Sequence, residues 1–202
     1  MPSGLPDPAT AERLLSEAEA LNPGAWVAHS RNVALAAHAI AAAHPTLDAE
    51  RAYVLGLLHD IGRRTGPNKE RHILDGHDYL LTLGFTDAAR IALTHSFPGQ
   101  DPDELLGEWD GTPEEFGRFA NLLRGARYTD EDRLLQLCDK LALSTGCCVL
   151  EQRLVDITLR YSFTPRTPDK WRAVLDLKAK FDTETGQNIY RLLPGLVDRL
   201  LA

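Results

Sequence analysis

Residues 57–64 read LLHDIGRR, and the position of this stretch decides the architecture. Upstream lie Tyr53, Val54, Leu55, Leu57 and Leu58, and Ile61 follows the His59-Asp60 pair. A helix that starts near Thr46 or Asp48 and is apolar almost all round belongs at the centre of a fold. A histidine and a carboxylate at the end of such a helix need partners, because an unpaired buried charge is costly. The next residues, Gly62 to Asn68 (GRRTGPN), read as a loop rich in turn formers.

Helical periodicity continues on both sides. Asp7-Pro8 is an N-cap and first-turn pair opening a helix to about Leu21, and a second helix runs from Ala25 to Ala43 before Pro45. Further helices are expected at about Arg71–Leu83, from an N-cap at Thr86 to His95, and as short pieces near 102–107 and 113–124. Others are expected at Thr129–Leu143, 147–161 and Asp169–Phe181, with a last short one before or containing Pro194. No segment alternates with period two over a strand length, so the expected class is all-α. Nothing after residue 143 marks a linker, and the 202 residues read as one domain.

Composition narrows the function classes. The net charge of −7 denies the chain the bulk positive field of a protein that coats nucleic-acid polymers. The most apolar stretch, Val33 to His44, is interrupted by His38, ends at Pro45 and is too short to cross a bilayer. The start, MPSGLPDPATAER, has no basic segment followed by an apolar one. Cys138, Cys147 and Cys148 are a poor disulfide framework and lack zinc-finger spacing. The expectation is a soluble, cytoplasmic protein without a membrane partner.

The histidines carry the chemistry. A helix turns about 100° per residue, so residues spaced i, i+4, i+7 and i+11 share a face. His29 shares its face with Val33, Ala36 and Ile40, whereas His38 falls opposite, at the surface or rim. His95 follows Ala88 and Ile91 on an inward face, and Asp139 shares its face with Leu135 and Ala142. His72 precedes Gly76 by one turn, where a missing side chain lets something approach closely. His77 is about 140° round the helix from His72, so the two cannot address one centre. Any one of these residues is ordinary core chemistry, such as a satisfied histidine or a capping carboxylate. Jointly, His29, His59, Asp60, His72, His95 and Asp139 sit on inward faces of different helices. Neutral imidazoles and carboxylates suit first-row divalent metals. Six ligands exceed one open catalytic site and suit two ions sharing a carboxylate.

The order His29, then His59-Asp60 within LLHDIG, then Asp139 in a late helix resembles the signature of the HD-domain superfamily of metal-dependent phosphohydrolases. His72 with Gly76 in HILDGHDYL, and His95 in ALTHSF, resemble the additional histidines of its two-metal members. The resemblance covers about residues 25–142 and leaves 143–202 as a C-terminal helical extension. It implies a compact helical bundle and cleavage of a small phosphate ester, a nucleotide or related metabolite, by a metal-activated hydroxide. His29, His59, Asp60 and Asp139 would hold one ion, and His72, His95 and the shared Asp60 the other. Fe or Mn are the expected ions, with Ni, Co or Zn as other occupants. Arg63 stands where the family often has lysine; it binds phosphate bidentately but cannot donate a proton at neutral pH. Asp60 and Arg63 are thus the expected catalytic residues, with Arg63, Arg64 and Lys69 as a basic rim for substrate phosphate. His77 then occupies an adjacent, substrate-facing or surface position and is not a ligand. The absence of a GYP tripeptide argues against the cyclic-dinucleotide branch.

Trp109, Phe116 and Phe119 read as core before they read as a stacking wall for a base, and Cys138 reads as packing. Three other classes share the pattern: a non-catalytic sensor of a phosphorylated ligand, a di-iron oxygenase on the same ligands, and a helical interaction protein with core histidines. A homodimer is compatible with all of them.

Overall fold

The computed structural model describes residues 4–201, and helices dominate it. The helices are α1 (Pro8–Leu21), α2 (Ala25–Ala43), α3 (Ala49–Leu58), α4 (His72–Thr82), α5 (Thr86–Thr94), α6 (Pro113–Gly125), α7 (Asp130–Leu141), α8 (Leu150–Tyr161), α9 (Thr167–Thr185) and α10 (Leu196–Leu201). Short 3₁₀ turns occupy Ile61–Thr65, Pro102–Glu104 and Ile189–Arg191.

Local chemistry sets many of the boundaries. Asp7 accepts the Thr10 amide at 2.8 Å, and Asp48 accepts the Arg51 amide at 2.9 Å, each satisfying a free N–H of a first turn. At α6, Thr112 and Glu115 cap each other's backbone reciprocally, with Pro113 in the first turn. Gly186, at φ 70°, closes α9 in the left-handed conformation.

α3 is the central helix, with Ala52, Val54, Leu55, Gly56, Leu57 and Leu58 buried. It lies so close to α2 that a Cβ on Gly56 would overlap the backbone of Ala34. The main buried cluster runs from Leu5 through α2, α3, α5 and α7 to Phe181, Ile189 and Leu196. The C-terminal helices therefore share the core of the preceding ones. A smaller cluster joins Ile73, Leu74, Leu93, Phe97, Phe119 and Leu123, with Trp109 and Phe116 packed against it. Those aromatics are core.

Several expectations are corrected. α3 ends at Leu58, not Ile61, and the expected loop at Gly62 begins as a 3₁₀ turn held by Arg63 N–H to Asp60 O at 3.0 Å. Thr86 is not the N-cap of α5; Phe85 takes that place without a side-chain bond. The carbonyl of Gly4 accepts from Asp87 and Ala88 instead, so a distant segment caps the helix. α7 stops at Leu141, and Ala142–Leu143 pairs antiparallel with Gly146–Cys147. Two-residue strands are too short for alternation to register. α9 begins at Thr167, two residues before the expected start at Asp169, because Pro168 is accommodated in its first turn. Pro194 lies in no helix: a 3₁₀ turn precedes it and α10 follows.

Candidate metal centre

The ends of α3, α5 and α7, the second turn of α2 and the start of α4 meet at one point. The contact between the Asp60 turn and α4 is made by glycines. A Cβ on Gly62 would overlap the His72 carbonyl and the Gly76 amide, and Gly76 has Gly62 N within 3.1 Å of its own Cβ position. The group that approaches Gly76 is thus the backbone of the HD turn.

Asp60 stands in the middle. Its Oδ1 lies 3.0 Å from His72 Nε2 and 3.7 Å from His95 Nε2. Its Oδ2 lies 2.8 Å from Arg63 Nε and 3.9 Å from His59 Nε2. Asp139 Oδ1 lies 2.9 Å from His29 Nε2 and 3.8 Å from His59 Nε2, and its Oδ2 pairs with Lys140 Nζ. The six residues expected as ligands are all brought together. Two triads have mutually close ligand atoms: His29, His59 and Asp139; and His59, Asp60 and His95. His59 therefore belongs with both triads, whereas His72 reaches the second through Asp60 and its own ring, 6.0 Å from that of His95.

The imidazoles are oriented by backbone. His59 Nδ1–H donates to Gly56 O at 2.7 Å, His72 Nδ1–H to Lys69 O at 2.5 Å, and His95 Nδ1–H to Ala92 O at 3.0 Å. A carbonyl only accepts, so each Nδ1 carries a proton and each ring turns its Nε2 inward. His59 Nε2 is buried with no hydrogen-bond partner among the described residues. A buried acceptor left this way costs about 1–3 kcal/mol unless something binds it.

The electrostatics agree. Burial lowers the His59 pKa, and burial together with the neighbouring His59 pushes His95 down to about 3. Burial opposes ionisation of Asp60, but neighbouring positive charge, the Arg63 guanidinium foremost, outweighs it and holds the carboxyl well below its usual range. Burial likewise opposes ionisation of Asp139, and Lys140 and His29 outweigh it. Neutral imidazoles and ionised carboxylates are the donor set of a divalent cation. The residues present fit one or two such ions.

The centre opens into a cavity of about 580 Å³ lined by His29, Asp60, His72, His95 and Asp139. Arg63 lines it too. Arg64 and Lys69 do not: the Arg64 guanidinium lies over the Tyr79 ring at 4.1 Å, and Lys69 pairs with exposed Glu108 at 2.8 Å. His38 is exposed. His77 is neither a surface nor a substrate-facing residue; it is buried, with Nδ1 2.9 Å from Asp78 Oδ1. Sequence reasoning missed Lys140, although a carboxylate among leucines calls for a cation and the next residue supplies it. It also missed Arg153, Asp156 and Arg160 of α8, which line the same cavity.

An HD-domain family model matches residues 26–144. The chain belongs to the HD-domain superfamily of metal-dependent phosphohydrolases. No match is found among curated proteins or among solved structures.

Proposed function

We propose that this protein is a phosphohydrolase that uses two divalent ions, Fe or Mn, to cleave a small phosphate ester, a nucleotide or related metabolite. The observation that carries the reading is the unpartnered Nε2 of His59, buried between two sets of inward-facing donors. When bound, the ions supply an activated water and polarise phosphoryl oxygens.

This chain's residues do the rest. Asp60 presents its two oxygens to different neighbours, which would suit a ligand shared between two ions. Arg63 holds Asp60 through Nε and lines the cavity, where its guanidinium is placed to receive phosphate. Lys140 holds Asp139 in place. Trp26, Leu106 and Tyr161 give the cavity an apolar wall against which the rest of a substrate can lie. The three cysteines are free, which suits a reducing compartment.

The test is elemental analysis of the protein as purified, followed by phosphate release from a panel of nucleotides and phosphate esters with Mn²⁺, Fe²⁺, Co²⁺ and Ni²⁺. Metal at one to two equivalents and turnover that Asp60→Ala abolishes are expected. Wild-type turnover by Asp60→Ala overturns the reading. Binding of phosphorylated ligands without turnover by any metal replaces it with a sensor, and iron-dependent dioxygen consumption replaces it with an oxygenase.

A further inference from the structure

The cavity has a second charged wall that the metal centre does not use. Arg153, Asp156 and Arg160 follow one another at helical spacing on α8 and all line the cavity. Asp156 Oδ2 accepts from Arg153 Nη1 at 3.1 Å and from Arg160 Nη2 at 2.7 Å. One carboxylate thus holds two guanidiniums, so the α8 wall carries one net positive charge, while the Glu70 carboxylate lines the cavity elsewhere. The other cations of the cavity each have their own partner, Arg63 on Asp60 and Lys140 on Asp139.

Arg153 is the more telling residue. Its side chain is 16% exposed, and its Nε is buried without an acceptor among the described residues. A guanidinium has five N–H donors, and burying one unpaired is unfavourable unless a ligand oxygen completes it. A planar fork of that kind matches phosphate or carboxylate bidentately.

Resting on the phosphate-ester reading of this cavity, we propose that Arg153 and Arg160, set by Asp156, form a second anion subsite, so that the substrate carries a second phosphate or a carboxylate besides the phosphate at the metal centre. The subsite is a specificity device. It binds the far end of the substrate and takes no part in bond breaking.

Isothermal titration of the protein as purified tests this with alkylphosphonates, whose C–P bonds resist phosphate-ester hydrolysis. Three series of three to six carbons serve as probes: alkylphosphonates with one anionic end, α,ω-bisphosphonates, and ω-phosphonocarboxylates. At least one doubly anionic probe should bind at least tenfold tighter than its singly anionic counterpart. That advantage should vanish in Arg153→Gln and in Arg160→Gln, while affinity for the singly anionic series stays within about twofold. Arg160 is half exposed, so its variant should fold even if Arg153→Gln does not, and Arg153→Lys separates the loss of the fork from the loss of charge. A gain confined to bisphosphonates identifies the second group as phosphate, and a gain confined to phosphonocarboxylates identifies it as carboxylate. Equal affinity of singly and doubly anionic probes at every length, or an advantage that survives both substitutions, overturns the subsite. Tight binding of a doubly anionic probe without turnover of any ester sinks the hydrolase and leaves the subsite. Turnover with no preference for a second anion does the reverse.

Discussion

Asp60 Oδ1 reaches His72 Nε2 at 3.0 Å only because the backbones of Gly62 and Gly76 touch between them. The two ligands sit on different elements, and the glycine contact sets their separation.

Gly62→Ala should therefore be damaging out of proportion to its size. The new methyl would meet backbone atoms of His72 and Gly76, which cannot rotate away. Overpacking of this kind costs about 1–3 kcal/mol, here at the upper end or beyond. Metal content should fall with it, because the Asp60 turn must lift from α4. The control is Gly117→Ala in α6, an exposed helical position with open space around it. That change should stabilise by about 0.5–1 kcal/mol through helix propensity alone. Urea melts of both variants, with metal analysis, check the pair. A Gly62→Ala protein as stable and as metal-rich as wild type would show that the contact is slack.

Asp132 should prove a keystone away from the ions. It is fully buried, accepts from Thr94 Oγ1 at 2.6 Å and from the Thr129 amide at 2.7 Å, and pairs with Arg90. Thr94 immediately precedes His95, so Asp132 ties the end of α5 to the helix that carries Asp139. Removing one partner of a buried ion pair costs about 3–5 kcal/mol, and Asp132→Ala should lose that much. Chemical denaturation reads it. A loss under about 1 kcal/mol would mean that Arg90 and Thr94 find water instead.

What the sequence revealed and what it hid divide along physical lines. His29, Asp139 and His95 were legible because each lies on an apolar stripe of its own helix, and helical phase alone turns it inward. The central place of α3 followed from its all-round apolarity. Arg64 was not legible: a loop has no phase, so its neighbour Arg63 could face the cavity while Arg64 stacked on Tyr79. His77 illustrates the same limit within a helix, since phase excluded it from the ligand set but could not reveal Asp78 and its own burial. The face of α8 was hidden for another reason. Which residues of a peripheral helix meet a cavity depends on how it docks, and no local pattern records that.

The thiols should be inert in the folded protein. Burial pushes Cys147 and Cys148 up to about 11 and raises Cys138 well above the usual thiol value. The thiolate is the reactive species, and at pH 7 a group titrating near 11 is ionised to about one part in ten thousand. Reaction with an aromatic disulfide reagent should be slow in native protein and should release three equivalents only after unfolding. A rapid native equivalent would place at least one cysteine in a more open setting.

Arg63 and Arg64 are adjacent in sequence and should differ in kinetics. Arg63 is fixed by Asp60 at 2.8 Å and lines the cavity, while Arg64 is held over Tyr79 and does not. A hydrogen bond to a charged group contributes about 1.5–3 kcal/mol, so losing the phosphate contact in Arg63→Ala should raise KM roughly tenfold or more. If the contact is equal in ground and transition states, kcat holds and only KM moves. A fall in kcat as well would mean that Arg63 grips charge that develops on the phosphoryl oxygens, or that Asp60 has shifted without its partner. Arg63→Lys separates these: it restores a cation but not the fork, so recovered kcat with raised KM points to binding geometry. Arg64→Ala should leave both constants within about twofold, at the loss of a cation–π contact of about 0.5–1 kcal/mol in stability. Steady-state kinetics on the best ester from the metal panel decide it, and equal kinetic damage from the two alanine variants would contradict this placement of Arg63 and Arg64.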